Sequence, residues 1–455
     1  MKVDLESASA SPHGMEKGGR RLPRAQRWLI FILPVLGCFG PAIAIVGPIF
    51  GFRLAVLLLV ATSLPWRRVD GSAVVLVTRV LAVIWIIVAL LLLLLRGASV
   101  YTWPEAGSLL FGILFIVAIV GTRSTRHALR VFLAGWLLAF CATAAVAARE
   151  ILFGIPFGNY YRQEAANPIL EGLGSASTFS NPNNYAFFLL VSFPVLTLGR
   201  SAATQKTWKL LYLGAMASVP VLMLATGSRI GLLILIAVGA VFAVAFVRAK
   251  WAAVAAGGVA LAALLFPVAF DFAVQSLLRP FAFGDGFQLQ AFIYGIFEES
   301  SMMVRMSLIQ NGYGFWLDSY LMGVGMGGFE AAMAGGSGDH PTMGIESPHS
   351  GVMEILSQFG ILVFAPFALL LITLLLIGWK TFSTRQTHSS MRVGGLLLVT
   401  LTSAFPIFTV MNSSFLEPSS SWLFLALLLL VGLAIDETAD GVATGELHSS
   451  ARIVL

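Results

Sequence analysis

The 455-residue chain is strongly apolar and carries few charges. Hydrophobic residues make up 58% of it and charged residues 11%, with a mean hydropathy of +0.89, whereas about a quarter of an ordinary soluble domain is charged. This composition excludes a typical soluble protein, and unalternating apolar runs such as 80–95 exclude β-barrel strands. We therefore expect an all-α, polytopic membrane protein. Cys38 and Cys141 lie in apolar runs and indicate neither a disulfide framework nor a metal site.

Twelve apolar runs predict about 12 transmembrane helices. In chain order they cover residues 28–45, 47–64, 74–95, 104–121, 128–148, 183–198, 208–225, 231–246, 252–270, 351–379, 395–411 and 420–435. The first two are too long together for a signal peptide and are expected to form a retained helical hairpin. An even number of spans places both termini on one side of the membrane.

The charges of the loops indicate which side that is. If both termini are cytoplasmic, the inner segments hold 21 of the 28 basic residues, including every lysine, and carry a net charge of +13 against −7 outside. This is the bias of the positive-inside rule. The overall charge of +6 then reflects attraction to anionic inner-leaflet lipids, so no nucleic acid partner is expected.

The spans divide the chain into five parts. We predict a disordered cytoplasmic tail at 1–27, helices 1–9 at 28–271, an extracytoplasmic catalytic loop at 272–348, helices 10–12 at 349–435, and a second cytoplasmic tail at 436–455. The large loop between spans 9 and 10 contains apolar patches, which indicates segments that lie in the membrane interface.

Arg229 lies in a very short outer turn, 226–231. Ser228 is expected to cap the following helix, which puts Arg229 in its first turn. The helix dipole disfavours a cation there, but the free N–H groups attract anions, so a phosphate would complete the site. The alternative is an arginine that snorkels to the lipid headgroups.

Arg305 lies between apolar residues in the large outer loop, ahead of Trp316 and a glycine-rich segment at 323–328. A cation in this setting indicates a helix whose polar side chain faces a partner rather than lipid. The alternative is a salt bridge to Glu298, Glu299 or Glu330. The glycine-rich segment follows no strand, so it is not a nucleotide fingerprint and is expected to allow a turn or a close backbone approach.

His349 directly precedes the tenth predicted span. Ser347 as N-cap and Pro348 at the first helical position predict that His349 lies in the first turn, where the helix dipole favours neutral imidazole, the form that accepts a proton. A histidine that merely anchors the helix at the interface is the alternative.

Two arginines and a histidine on the outer rim would suit a lipid-linked diphosphate. The guanidinium groups would neutralise the departing diphosphate, and the imidazole would take a proton from an attacking hydroxyl. The chain contains no Asp-x-Asp pair, so the arginines would stand in for a metal ion and no cofactor is expected.

The chain resembles the bacterial O-antigen ligase and O-antigen (exopolysaccharide) polymerase family of integral membrane glycosyltransferases. The resemblance extends over 177–364 and rests on an ordered set of motifs: the segment 178–186, the turn 227–231, Arg305 followed by the glycines of 323–325, and 348–350 running into 354–362. It implies a GT-C-like fold of twelve helices with a large periplasmic loop, and metal-independent transfer from an undecaprenyl-diphosphate-linked glycan.

The resemblance also implies roles for individual residues. Arg229 and Arg305 would bind the diphosphate, and His349 would act as the base or orient the acceptor. Ser350 departs from the family, which often has asparagine after the loop histidine. The implied partners are a glycan or glycolipid acceptor and the lipid bilayer of the bacterial inner membrane, with chain-length regulator and flippase proteins as further candidates.

Several residues are secondary candidates for substrate binding: Arg162, Asn183, Asn184, Trp316 and Ser350. Arg162 follows two tyrosines, an arrangement found where sugars stack and also where loops meet headgroups, and the headgroup reading comes first. Asn183 and Asn184 are expected primarily to cap the sixth span.

Three functions remain open. The favoured one is a polymerase that transfers a growing glycan to another lipid-linked repeat, because the Asn-Pro-Asn-Asn segment at 181–184 resembles exopolysaccharide and capsule polymerases. The second is a ligase that uses the same donor and transfers the glycan to lipid A core or another terminal acceptor. The third is a flippase for lipid-linked sugars, which the absence of repeated halves and the rim position of the ionisable residues disfavour.

Overall fold

The computed structural model describes residues 22–40, 44–46, 49–63, 72–122, 124–155, 157, 174–246, 299–384 and 389–443. The regular secondary structure of this part of the chain is helical apart from one short antiparallel strand pair. The predicted span 252–270, the loop residues 272–298 and Arg162 lie outside it.

Fourteen helices and two strands make up the described chain. They are α1 (Arg24–Phe39), β1 (Ala44–Val46), β2 (Ile49–Phe50), α2 (Gly51–Ser63), α3 (Ala73–Arg96), α4 (Thr102–Val120), α5 (Thr125–Phe153), α6 (Pro182–Ala202), α7 (Lys206–Ala225), α8 (Arg229–Phe246), α9 (Glu299–Asp318), α10 (Gly328–Ala334), α11 (Gly351–Ser383), α12 (Ser389–Ser403), α13 (Phe405–Thr409) and α14 (Ser419–Ala443). In the strand pair Ala44 lies opposite Phe50, and Val46 lies opposite Ile49.

Seven described helices are long and apolar enough to cross a membrane: α3, α4, α5, α6, α7, α11 and α14. The shorter apolar helices α2 and α8 cover two further predicted spans. A multi-pass all-helical membrane protein is therefore confirmed, whereas the number of twelve spans and the GT-C-like character remain predictions.

Two predicted span boundaries are wrong. The first run, expected to continue to residue 45, ends as a helix at Phe39, because Gly40 adopts a positive φ of 44° and β1 follows. The run 395–411, expected to be one helix, is divided at Ala404 into α12 and α13. Pro406 at the start of α13 lacks the N–H that a continuous helix would need.

Helix α14 is the centre of the bundle. It packs against α1, α3, α4, α5, α11 and α12. In its most apolar 18-residue stretch, 94% of the residues are buried. Its Trp422 lies 5.9 Å from Trp85 of α3, which in turn contacts Phe359 of α11 at 5.7 Å between ring centroids. These aromatic contacts fix α11, whose first turn adjoins the candidate site, against the core.

The segments that were predicted to be extracytoplasmic meet at one end of this bundle. Tyr101, just before α4, donates from its hydroxyl to the Glu346 carboxylate at 3.0 Å, and Thr102 donates to the Met326 carbonyl at 3.1 Å. The loop before α6 joins them, since the Ser175 N–H donates to the last carbonyl of α7. At the far end of α14, Glu437 accepts hydrogen bonds from Thr125 and the Arg126 N–H.

Candidate active site

His349 lies in a strained turn ahead of α11. Its φ is +46°, a left-handed conformation that a residue with a side chain adopts at a cost of about 1 kcal/mol or more. The helix begins at Gly351 with Ser350 as N-cap, so the predicted N-cap at Ser347 and the first-turn position of His349 are wrong. The reason is a distant contact: the His349 N–H donates to the Ser413 carbonyl at 3.0 Å.

The His349 imidazole favours its neutral form, and one of its ring nitrogens has no partner within the described residues. Burial, and secondarily the positive charge of Arg305, lower its pKa from the usual 6.5 to about 4. Its Nδ1 is buried and has no hydrogen-bond partner within the described residues. A buried polar atom without a partner is uncommon and often marks a functional position. The expectation of a neutral imidazole is supported, although burial and not the helix dipole is the main cause.

Arg305 lies on α9, within electrostatic reach of His349. Its side chain is half-buried, and burial lowers the pKa of its guanidinium from the usual value. Its charge in turn disfavours protonation of His349. The structure therefore brings together these two predicted residues, which are 44 positions apart in the chain.

Arg229 begins α8, as predicted from the sequence. The Ser228 hydroxyl accepts the N–H of Gly231 at 3.3 Å, which confirms it as the cap of this helix. A Cβ on Gly231 would lie 2.9 Å from the Met411 side chain, so the start of α8 packs against the chain that leads to Ser413. Residues 410–418, called here the α13–α14 loop, thus contact both the Arg229 turn and His349.

Glu354 organises the α13–α14 loop and was not recognised as a site residue in the sequence. Its carboxylate is fully buried one turn into α11 and accepts hydrogen bonds from the Ser414 hydroxyl and from the N–H groups of Phe415 and Leu416. The feature of the sequence that could have identified Glu354 is a single carboxylate within an apolar span. Such a placement is energetically costly and often marks a functional residue.

The Asn-Pro-Asn-Asn segment also contacts this loop. Asn181, and not Asn183 or Asn184, is the N-cap of α6, because its side chain accepts the Asn184 N–H at 2.9 Å. Asn184 is 3% exposed, and its side-chain oxygen accepts the Ser413 N–H at 3.3 Å. Asn184 therefore supports the loop that holds His349, while Asn183 is half-buried in the first turn of α6.

Two other secondary candidates, Trp316 and Ser350, form hydrogen bonds that stabilise the local structure. The Trp316 indole N–H donates to the Leu321 carbonyl at 3.2 Å and secures the end of α9. Ser350 caps α11 through a hydrogen bond from the Met353 N–H at 3.4 Å.

The glycine-rich segment lies against a break in α11. Gly360 interrupts this helix with φ 68° and ψ −170°, which frees backbone groups that pair with the segment: the N–H groups of Val324 and Gly325 donate to the Ser357 and Gln358 carbonyls at 2.8 and 2.9 Å. A Cβ on Gly323 would collide with the Gln358 carbonyl. The expected close backbone approach is confirmed, and it attaches the large loop to α11.

Glu330, in the short helix α10, adds a buried acid to this region. Burial, followed by the charge of Glu354, raises the pKa of Glu330 from the usual 4.5 to about 8. Its protonated form is therefore favoured, which reduces the negative charge of this region.

A family model described as O-antigen ligase matches residues 213–368. The resemblance inferred from the sequence is confirmed. The matched segment is about a third of the chain and contains Arg229, Arg305 and His349. No curated protein matches the chain. The O-antigen ligase match and the apolar helices together indicate a membrane glycosyltransferase of the ligase or polymerase type in a bacterial membrane.

Proposed function

We propose that the protein polymerises surface polysaccharide by transferring an undecaprenyl-diphosphate-linked glycan to a sugar hydroxyl of a second lipid-linked repeat. The observation that carries this proposal is the neutral, buried His349 with its unpartnered Nδ1 beside Arg305. A base that can accept a proton next to a cation that can bind a leaving anion is what such a transfer requires.

The proposed reaction is a single displacement. The acceptor oxygen attacks the anomeric carbon of the donor sugar and forms the new glycosidic bond. The bond from that carbon to the diphosphate oxygen breaks, and undecaprenyl diphosphate leaves with the electron pair. The hydroxyl proton passes to His349, and the charge on the leaving group is neutralised by Arg305 and Arg229, with no metal ion in the scheme.

Arg229 suits the second cationic position because it opens α8. The unpaired N–H groups of a first helical turn and the positive end of the helix dipole favour an anion at this point. A diphosphate bound between Arg229 and Arg305 would relieve the unfavourable interaction between the arginine and the helix end.

The electrostatics favour a donor that binds before proton transfer. A base with a pKa of about 4 is weak at neutral pH. A bound diphosphate would offset the charge of Arg305, which is one of the two causes of that low value, and would raise the pKa of His349. The base would thus gain strength only when a donor is present.

Lipid-linked intermediates from strains with single substitutions test the proposal. His349→Ala removes the base and is expected to lower chain growth roughly 10²–10⁴-fold, and Arg305→Ala is expected to lower it roughly 10²–10³-fold. Arg392→Ala is the matched control, since Arg392 is also half-buried but lies at the start of α12. Undiminished long chains with either site variant would contradict the assignment.

A ligase is the second candidate, favoured by the description of the matching family model. The same lipid extract separates the two. Single repeats that accumulate on lipid indicate a polymerase, whereas long lipid-linked chains beside unmodified acceptor indicate a ligase. Intermediates held on the cytoplasmic leaflet would instead indicate a flippase.

The charge asymmetry of the loops supports cytoplasmic termini and an extracytoplasmic site in the inner membrane. In a variant without native cysteines, Ser337→Cys should react with a membrane-impermeant maleimide in intact spheroplasts. Ser389→Cys, at the opposite end of the bundle, should react only after lysis. The reverse pattern would invert the topology.

A further inference from the structure

A cavity lined by both polar and apolar side chains lies beside the candidate active site. It has a volume of about 390 Å³, and its polar lining consists of Gln310, Asn311, Tyr313, Asp318, Ser337, Asp339 and His340. Phe315 and Met353 supply apolar wall. Neither the family match nor the proposed chemistry assigns a role to this cavity.

Helix α9 connects the cavity to Arg305. Ile309 lines the cavity and is one turn along α9 from Arg305, which corresponds to about 6 Å at 1.5 Å per residue. On the other side Met353, in the first turn of α11, follows the cap Ser350 that adjoins His349. The cavity is therefore flanked by the two helices that present the base and the arginine.

The cavity is held in shape by bonds within the protein. Asn311 donates from its side chain to the His340 carbonyl and accepts the His340 N–H, both at 2.9 Å. Beneath this contact Phe315 packs on the fully buried Phe329 at 5.5 Å. The segment with Ser337 and Asp339 is thus fixed on α9, and a ligand would meet a largely preformed wall.

The lining chemistry indicates the class of ligand. Tyr313 is 50% exposed and offers an apolar ring with a hydroxyl at its edge, a surface on which a sugar ring can stack. Asp318 and Asp339 supply carboxylates that accept hydrogen bonds from hydroxyl or ammonium groups. The same two carboxylates would repel a diphosphate, and none of the described residues that line the cavity is a Lys or Arg that would offset them.

We propose that this cavity binds a neutral or amino-bearing sugar of the acceptor glycan. The proposal rests on the glycosyltransferase function above, and it separates the two substrates: the diphosphate of the donor near Arg229 and Arg305, and an uncharged or cationic acceptor sugar next to Tyr313. An acidic sugar, such as a uronic acid, is disfavoured by the two carboxylates.

The test is saturation-transfer NMR on the full-length protein in phosphatidylcholine nanodiscs. The probes are methyl glycosides of glucose, galactose, N-acetylglucosamine, glucosamine and glucuronic acid at equal concentration. At least one neutral or amino glycoside should bind, and Tyr313→Ala should weaken that binding about five-fold. Tyr320→Ala is the matched control, because Tyr320 is 88% exposed and is absent from the cavity lining.

A charge change provides the second readout. The double variant Asp318→Asn with Asp339→Asn should bind the glucuronide more strongly than the wild type does, which simple misfolding cannot produce. The proposal is overturned if no neutral or amino glycoside binds, if Tyr313→Ala leaves binding unchanged, or if the wild type binds the glucuronide equally well.

This binding assay is independent of sugar transfer. If His349→Ala still extends chains while the glycosides bind as expected, the catalytic role proposed for His349 fails and the cavity assignment stands. If His349→Ala abolishes chain growth but Tyr313→Ala changes neither glycoside binding nor the acceptor KM, the cavity assignment alone fails.

Discussion

Glu354→Gln should reduce activity because Glu354 holds the α13–α14 loop in position. The wild-type carboxylate accepts three hydrogen bonds, from the Ser414 hydroxyl and the Phe415 and Leu416 N–H groups. A glutamine side chain keeps one acceptor oxygen but turns an NH₂ group toward a donor. Ser413, the residue before these donors, accepts the His349 N–H, so the disturbance reaches the proposed base.

The magnitude follows from the bonds that are lost. A hydrogen bond contributes about 0.5–1.5 kcal/mol to stability, and a buried donor left without a partner costs about 1–3 kcal/mol. With one of the bonds retained, we expect a stability loss of about 2–4 kcal/mol. A shift of about 1 Å in the position of a catalytic group lowers the rate about 10²-fold.

The assay combines thermal unfolding in detergent with chain growth from a defined polyprenyl-linked repeat, at a temperature where the variant is folded. Glu437→Gln is the control, since Glu437 also accepts a hydroxyl and a backbone N–H but lies 18 residues beyond Ser419 on α14, about 27 Å along the axis. It should lower stability without lowering activity. A folded Glu354→Gln protein with wild-type activity, or an equal activity loss in Glu437→Gln, would refute the reasoning.

Three further substitutions test other parts of the structure. Because the pKa of His349 is low in the folded protein, the unfolded chain binds a proton between about pH 6.5 and pH 4 that the folded chain does not. Wild-type stability should therefore fall as the pH drops through this range. His349→Gln should flatten a plot of Tm against pH over the same range. The raised pKa of Glu330 has the opposite sign: its contribution is fully present below about pH 4.5 and is lost as the pH rises through about 8, so Glu330→Gln should remove a decline in Tm over that range. Gly360→Ala forces a side chain into a positive φ and against the Leu321 carbonyl, which should lower the free energy of unfolding by more than about 2 kcal/mol. The control is Gly214→Ala, at a helical position with no neighbouring atom within 4 Å, which should leave Tm unchanged or slightly raised. Equal effects of the two alanines would contradict the described break in α11.

The helices that could be predicted from the sequence are those with a simple physical cause. Both ends of helix α3 (Ala73–Arg96) were predicted to within one residue, because a long apolar run that crosses a bilayer must form a helix to satisfy its backbone hydrogen bonds. The division between α12 and α13 was missed, because the apolar run continues through it and only Pro406 marked the break. The start of α11 was misplaced by three residues because its cap competes with a contact 64 positions away, between His349 and Ser413.

The residues of the candidate site also divide into those that the sequence revealed and those that it did not. Arg229, Arg305 and His349 were visible because charged and titratable side chains are conspicuous beside apolar runs. Glu354 and Ser413 were not recognised, since their importance lies in which backbone groups they bind, and those partners are known only once the loop is folded against α11. Sequence patterns indicated the proposed reacting groups, whereas the residues that hold them in place were recognised only in the folded structure.

The distribution of charge along α9 links the two proposals. Arg305 lies toward the start of this helix and Asp318 at its end, with Gln310 and Tyr313 between them on the way to the cavity. The proposed anionic donor headgroup would be attracted to Arg305 and repelled by Asp318, and an acceptor sugar bearing a cation would experience the reverse. One rigid helix can therefore sort the two substrates by charge and hold them about 12 Å apart, measured from Arg305 to Tyr313 at 1.5 Å per residue. That separation is spanned by two or three sugar rings, which gives an acceptor room to lie in the cavity while its terminal hydroxyl reaches His349.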